Sequence, residues 1–579
     1  MRMSKLLAGV CAATLALSAM TAWAAEVTPD RLLNAGSEAE AGNWLLVGKN
    51  YSSNRFSTLN EINAGNVANL RVITAAPVGG TEPSGFGQGG MQGTPLADNG
   101  FLYVSDPWGT PYKFDVSDGK SAKLVWVCDT GIEKDATLGV LVANRGLALA
   151  GNNVITGLNN GHVVACDSET GEVVWDQTIG TTGEGFNAAP LPIGDKILVS
   201  QAFGDWATRG YIVALAADTG QELWRWWAVP EPGQPGSETW KCDEAGNPDC
   251  WKTGGGGMWQ TGSYDPESNS VYWGTGNPVP MFDPEYRPGD NLYTNSSVAL
   301  DPDSGAMKWY FQYTPGDYMD YDEVGPQLLI DTKVNGEDRK VLAHFGRNGL
   351  YYNLDRTNGS YIQSGQYVEK LTWTKGIDPK TGMPIEYDPS KSLQTYAIGP
   401  INRAGATANT CPNIQGGTNF FPTGYNPTLG LAYAVSIEGC SDLAVKTIAP
   451  ADVTAGQLFQ AGTSTNSGVQ TGSVSAVDVA TGKMVAQQPT PFPMYSGVMT
   501  TPDLVWAGST DGTFAAYDAK TLEVKWSMNL GTGIQGSPIA FTAGGKEYIA
   551  IYGGSTGSSW GHPELENRSV ANLVWILGL

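Results

Sequence analysis

The chain of 579 residues carries 57 Asp and Glu against 34 Lys and Arg, a formal net charge of −23. So large a negative surplus excludes nucleic acid and anionic membrane surfaces as partners and leaves a basic protein as the natural macromolecular partner. Length alone suggests three or four domains, an expectation that the internal repeats below replace with one large object.

Residues 1–24 open with Arg2 and Lys5, run through apolar Leu6 to Leu17 and end in Ala22-Trp23-Ala24. That is the pattern of a secretory signal peptide cleaved before Ala25. The apolar run is too short to span a membrane, no later run reaches a span, and Val10 before Cys11 argues against a lipid anchor. A soluble periplasmic domain, 25–579, is expected. Cys11 leaves with the leader, and Cys128, Cys166, Cys242, Cys250, Cys411 and Cys440 remain. An even count in an oxidising compartment reads as disulfides. Cys242 and Cys250 enclose a turn-rich loop that a bridge could pin; the pairing of Cys128 and Cys166 stays open. No Cys-x-x-Cys-His occurs, so this chain holds no covalently attached haem.

Gly85-Phe86-Gly87-Gln88-Gly89-Gly90 fits a dinucleotide-binding glycine pattern, but strand-like residues follow it rather than a helix, and the match reads as chance among 75 glycines. His162, His344 and His562 are scattered singly and read as structural.

A short phrase then recurs. Asp167, Asp301 and Asp518 each open a turn and are each followed eight positions later by Trp175, Trp309 and Trp526. Weaker copies stand at Asp115, Asp218, Asp355 and Asp478. Each reads as strand, turn, strand: the Asp side chain caps the turn, Gly takes the positive-φ position, and the alternating run resumes. A repeat of roughly 40–50 residues is a four-stranded sheet, and radial repetition of such sheets is a β-propeller. The predicted fold is all-β, an eight-bladed propeller with tryptophan-docking repeats, whose C-terminal segment Ala571 to Leu577 is the outer strand that closes the ring.

Asp320 and Asp322 in Thr314-Pro315-Gly316-Asp317-Tyr318-Met319-Asp320-Tyr321-Asp322 would share one face of an extended segment. Alone, such a pair reads as a solvated loop.

The Asp-x-x-Thr-Gly-x-x-x-Trp phrase resembles the docking repeat of the quinoprotein alcohol dehydrogenases, whose cofactor is pyrroloquinoline quinone, and the funnel residues of that family match in order along nearly the whole mature chain. The resemblance implies that Trp259, after Gly254-Gly255-Gly256-Gly257, is the flat floor under the quinone. It places Arg145 on a cofactor carboxylate, with Gln92, Thr156, Gly204, Asn419 and Tyr495 at other cofactor-contact positions. Asn277 and Asp205 become metal ligands, Asp205 where relatives usually carry Glu. Asp320 becomes catalytic base and metal ligand, and Arg347 of His344-Phe345-Gly346-Arg347-Asn348-Gly349 bonds the reactive quinone oxygens.

Asp322 stands where the lanthanide-dependent branch of the family carries an acid and the calcium-dependent branch a small residue. A trivalent ion of calcium-like radius favours the same hard oxygens with one more negative charge. The resemblance therefore implies a lanthanide, with calcium as the alternative. Cys411 and Cys440 fall where relatives have a disulfide. Two departures follow: Gly139 and Val140 replace the family's vicinal disulfide over the quinone, and Met281 stands where methanol-oxidising relatives carry Trp, which with Tyr495 suggests room for alcohols larger than methanol. The implied activity is oxidation of primary alcohols in the periplasm, with electrons passed to a separate c-type cytochrome and a homodimer as the implied assembly. A non-catalytic propeller scaffold is the alternative of another class.

Overall fold

Strand–turn–strand units make up nearly all the regular structure of the computed structural model, which describes residues 26–85, 89–135, 141–554, 559–566 and 570–579. The leader, the Gly139-Val140 pair and the middle of the glycine-rich 85–90 stretch lie outside these residues. A strand, Gly90–Thr94, follows that stretch in place of the helix a dinucleotide site needs. The one α-helix among the described residues, Pro29–Leu33, is five residues long and is capped by Thr28.

The chain is an all-β propeller. Among the described residues it forms eight four-stranded antiparallel sheets, seven of them with strands in sequence order. Inner strands such as Asn153–Gly157 and Tyr211–Ala216 are almost entirely buried, whereas the fourth strands, such as Lys123–Val127 and Val173–Thr178, expose most of their residues. Burial thus falls from the axis outward, as expected when sheets pack face to face around a centre.

The repeats explain how neighbouring sheets are held. Asp167 accepts from the N–H groups of Glu169 and Thr170, and Asp301 and Asp518 do the same in their own turns. The chain at each turn then presents a carbonyl to the preceding sheet. Trp126, Trp175, Trp224 and Trp309 donate from Nε1 to the carbonyls of Ser168, Ala217, Pro302 and Arg356, at 3.2, 3.2, 2.9 and 3.0 Å. Gln363 stands eight residues after Asp355, at the Trp position, and its amide donates to the Val479 carbonyl at 3.1 Å. Tyr433 Oη reaches the Ala519 carbonyl at 2.6 Å. Different side chains fill one geometric role because a buried carbonyl left without a donor is costly.

One strand position differs from expectation. The C-terminal strand Leu573–Gly578 is not the outer strand of its sheet; it lies third, between Lys546–Gly553 and Arg71–Pro77, and the N-terminal strand Arg71–Pro77 takes the edge. The buried run of Leu573–Gly578 suits an inner place, and Arg71–Pro77, whose residues are exposed or half-buried apart from Ala76, suits an edge. Pairing the two ends of the chain closes the ring without a covalent link.

Another sheet is interrupted. Between its strands Leu431–Glu438 and Thr471–Asp478 the chain inserts the hairpin Ser441–Val445 and Gly462–Asn466, to which Thr407–Thr410 adds a third strand. Cys411–Cys440 pins this insertion, Cys242–Cys250 closes the short loop, and Cys128–Cys166 joins adjacent sheets, which settles the pairing that spacing left open.

The turn glycines carry a test. Gly305 has φ of +72°, and a Cβ there would lie 2.5 Å from the Trp224 ring, whereas Gly430 has φ of +68° and nothing within 4 Å. Gly430→Ala should cost about 1–2 kcal/mol from the left-handed backbone alone, and Gly305→Ala roughly a further 1–3 kcal/mol from overpacking. Thermal unfolding of the two variants measures the difference; equal losses would show that the ring contact contributes nothing.

Candidate functional site

A cavity of about 190 Å³ opens where loops from several sheets converge, and Gln92, Arg145, Asp205, Trp259, Met281, Asp320, Arg347, Asn419 and Tyr495 all line it. These residues span four hundred positions of sequence and only the closed ring brings them together. Asn187, Phe203, Trp206, Gln415, Phe420, Leu458 and Gln460 also line the cavity, and sequence reasoning did not find them. The signals were thin. Trp206 directly follows Asp205, and Phe420 directly follows Asn419, but no residue type there points to a pocket.

The floor is built by close backbone approach. Gly255 and Gly256 have positive φ. Gly255 N donates to Thr208 O at 3.0 Å and its carbonyl accepts from Gly210 N at 2.8 Å, while Gly256 N donates to Asn277 O at 2.9 Å. A Cβ on Gly204 would lie 2.5 Å from Gly257 N. Three chain segments therefore touch through backbone alone, and only glycine permits it. Gly204 acts here by lacking a side chain. The Trp259 carbonyl accepts from Arg145 Nη1 at 3.0 Å, and the same nitrogen bonds Asn187 Oδ1 at 2.7 Å, fixing floor and guanidinium together. Arg145 also lies over the Phe420 ring, 4.6 Å from its centroid, and burial pushes its guanidinium down to about 9.

Thr156 sits apart. It is fully buried and its hydroxyl donates to the Gly109 carbonyl at 2.8 Å. Gln92 bonds Gln535, Asn419 donates to the Gln415 carbonyl, and Tyr495 Oη donates to Gln415 Oε1. Gln415 thus joins two predicted contacts.

The acidic pair meets one cation. Arg347 Nη2 donates to Asp320 Oδ2 at 3.0 Å, and Nη1 pairs with Asp322 Oδ2. The segment is not the extended one expected: Asp320 has φ of +64°, in the left-handed region. Asp317 holds that turn by accepting from Met319 N and Tyr321 N at 2.9 and 3.0 Å. Both carboxylates still converge because the turn, rather than strand alternation, aims them. Asp322 Oδ1 also accepts from the Asn277 N–H at 2.7 Å. Arg347 itself is held by the Ile414 carbonyl, to which Nε donates at 2.8 Å.

Burial raises the Asp320 carboxyl well above the usual range, opposed by Arg347 and reinforced by Asp205 and Asp317. Burial likewise pushes Asp205 up to about 6, against the pull of Arg347 and of the Asn277 amide beside it. A cation brought near would lower both. Asp205 Oδ1, Asn277 Oδ1 and Asp320 Oδ1 are buried oxygens that accept no hydrogen bond. Such a set fits a hard cation in donor type. Among the described residues no three His, Cys, Asp or Glu side chains converge into a cage by themselves, because Arg347 stands among the acids; the amide oxygen and a further donor are needed.

Behind this layer lies a pair that the sequence did not reveal. Glu323 Oε2 accepts from Arg347 N at 3.2 Å and faces His344 Nε2 at 2.8 Å, both side chains fully buried. Gln327 Nε2 approaches His344 Nδ1 at 3.2 Å. His344 does not line the cavity, and its ring nitrogens meet these two buried polar side chains.

Residues 44–364 match the family described as the glucose/ethanol/alcohol dehydrogenase β-propeller domain, with PQQ, pyrroloquinoline quinone, as its label. Quinoprotein alcohol dehydrogenase PedH of Pseudomonas putida is 34% identical over 530 residues, covering 88% of this chain and 85% of the relative. The lanthanide-dependent methanol dehydrogenase of Methylacidiphilum fumariolicum is 32% identical over 550 residues, covering 90% and 86%. Among solved structures, europium-containing methanol dehydrogenase superposes with a TM-score of 0.84 at 28% identity, over 95% of this chain and all of the other.

The buried histidine makes acid stability testable. Burial pushes His344 down to about 3 from an ordinary 6.5. The contribution of His344 itself is full above pH 6.5 and is lost as pH falls toward 3, because the unfolded chain binds a proton there that the folded chain does not. Burial raises the Glu323 carboxyl beside it well above the usual range, and the proton held there acts in the opposite direction. The loss is on the order of 1.4 kcal/mol per pH unit. His344→Gln should flatten the fall in unfolding temperature between pH 6.5 and pH 4. An unchanged pH slope would show that His344 does not carry it.

Proposed function

Because this chain belongs to the PQQ-dependent glucose/ethanol/alcohol dehydrogenase β-propeller family, we propose that it oxidises primary alcohols to aldehydes in the periplasm, after loss of residues 1–24, using pyrroloquinoline quinone and a lanthanide ion. The observation that carries this reading is the buried Asp320–Arg347 pair, which lines the cavity with Trp259 and is backed by Asp322 on the other guanidinium nitrogen. We read the eight four-stranded sheets as eight blades of one domain, 25–579, docked through their tryptophans.

Asp205, Asn277, Asp320 and Asp322 would hold the metal, and Gln92, Arg145, Trp259, Arg347, Asn419 and Tyr495 the quinone, with Gly204 letting the backbone close up beneath it and Thr156 contributing from outside the cavity lining. When bound, the quinone supplies a two-electron acceptor carbonyl and the metal a Lewis acid. Asp320 takes the hydroxyl proton of the alcohol as general base, its carboxylate kept ionised by the positive charge beside it. Arg347 fixes that carboxylate through Oδ2, and its guanidinium offers positive charge to an oxygen gaining negative charge. Phe203, Trp206, Phe420 and Met281 bring apolar surface to the cavity lining, and a lower local dielectric strengthens each of these interactions. With no Cys-x-x-Cys-His in the sequence, electrons leave to a separate carrier, a c-type cytochrome, whose basic surface would suit a chain of net charge −23. A homodimer belongs to the same reading.

A calcium-dependent enzyme is the second reading, and one observation favours it. Asp322 already accepts from Asn277 N and pairs with Arg347, so it can serve as counter-ion to Arg347 without touching a metal.

Asp320→Asn should lower turnover by ~10²–10⁴ while the quinone still binds, since the amide keeps the shape but not the basicity. Near-native turnover in a variant carrying quinone and metal would remove Asp320 from this role.

The metal is decided by stripping the native protein and reloading it with quinone plus either calcium or a light lanthanide. Lanthanide-supported activity should dominate, and Asp322→Ala should lose it. Full activity with calcium alone would establish the second reading, and a loaded protein inactive on every alcohol would sink both.

A further inference from the structure

The insertion pinned by Cys411–Cys440 does more than lengthen one sheet. Its hairpin strands Ser441–Val445 and Gly462–Asn466 are joined by 446–461, and this segment crosses onto the cavity. Gly456 N donates to the Trp206 carbonyl at 2.9 Å, Phe459 N donates to the Asp205 carbonyl at 2.8 Å, and the Gln460 carbonyl accepts from Phe282 N at 3.0 Å. The strap is thus bonded on one side to the backbone of Asp205 and on the other to the residue beside Met281. Phe459 is buried against Tyr286, edge to face with centroids 5.1 Å apart. It belongs to an apolar cluster with Trp240, Val279 and the Cys242–Cys250 bridge. Leu458 and Gln460, the neighbours of Phe459, line the cavity with Asp320 and Met281. Leu458 is 36% exposed, the exposed member of a cavity wall whose other described members are buried or half-buried. It borders both solvent and the cavity that Asp320 lines.

We infer that the strap 446–461 is a fixed specificity wall, with Leu458 and Gln460 setting the size of alcohol that reaches Asp320. This rests on the alcohol dehydrogenase reading above. Three backbone hydrogen bonds and the buried Phe459 make it a rigid wall, so discrimination comes from side-chain volume. A native site bounded by Leu458 and Met281 takes a primary alcohol with an apolar body, and Gln460 marks the polar end of that wall.

The test uses the quinone- and metal-loaded protein with ethanol, 1-butanol and cyclohexylmethanol. Leu458→Ala should raise kcat/KM for cyclohexylmethanol relative to ethanol by about tenfold, and Leu458→Trp should lower the same ratio, within the range that an apolar pocket commands per methylene. Gln460→Ala should move the ratio in the direction of Leu458→Ala. Quinone affinity, followed by absorbance titration, should stay native in all three, because the strap is anchored by backbone groups and Phe459. Unchanged alcohol ratios in active variants would overturn the inference and leave the dehydrogenase reading standing. Loss of quinone affinity in the Leu458 variants would also overturn it, by placing that side chain on the cofactor. A loaded native protein that oxidises none of the alcohols would overturn the dehydrogenase reading and the wall with it.

Discussion

One guanidinium organises the centre of this molecule. Arg347 pairs with Asp320 and Asp322, bonds the Ile414 carbonyl through its side chain, and donates its backbone N–H to Glu323. Both acids and the arginine are almost completely buried. Taking such charges out of water is expensive, and removing one member of a buried group typically costs roughly 3–5 kcal/mol because it strands the other. The arrangement is therefore held by the surrounding fold. The left-handed backbone at Asp320 fits the same picture, since Asp317 accepts two backbone N–H groups to hold the turn. A carboxylate kept this way has its direction fixed before any substrate arrives.

The ring supplies that rigidity through a repeated contact between sheets. In each case a carbonyl near a capped turn aspartate receives a donor from the sheet before it, whether the donor is Trp126, Trp309, Gln363 or Tyr433. The pairing of Arg71–Pro77 with Leu573–Gly578 closes the circle. Loops that fall on the cavity from far-separated parts of the chain then keep their places because successive sheets are tied to one another. The glycine run at 254–257 depends on this precision, since its contacts with 204–210 and Asn277 involve backbone groups alone.

The strap over the cavity couples two parts of the site that would otherwise be independent. Its backbone touches the carbonyls of Asp205 and Trp206, while its side chains Leu458 and Gln460 face the space beside Asp320. An insertion in one sheet thereby shapes the wall of a pocket whose acids come from others. Variation in such an insertion can change what enters without disturbing the ring, which is how function is grafted onto a conserved scaffold.

Much of this was legible in the chain itself. The capped turns at Asp167, Asp301 and Asp518 recur with fixed spacing to Trp, so the strand–turn–strand unit and the all-β propeller follow from local chemistry. Gln92, Arg145, Asp205, Trp259, Asp320, Arg347, Asn419 and Tyr495 could be named because the motifs around them resemble a known family. The tertiary structure alone decided the rest. It put the N-terminal strand, and not the C-terminal one, at the edge of the closing sheet. It aimed Asp320 and Asp322 by a left-handed turn where alternation had suggested an extended face, and it set Thr156 on the Gly109 carbonyl. It brought Leu458, Gln460 and the Glu323–His344 pair to the site. Local hydrogen bonding and periodicity act over a few residues and leave a mark in the sequence. Contacts between residues separated by a hundred positions or more depend on ring closure and on the path of an insertion, and no short-range pattern records them.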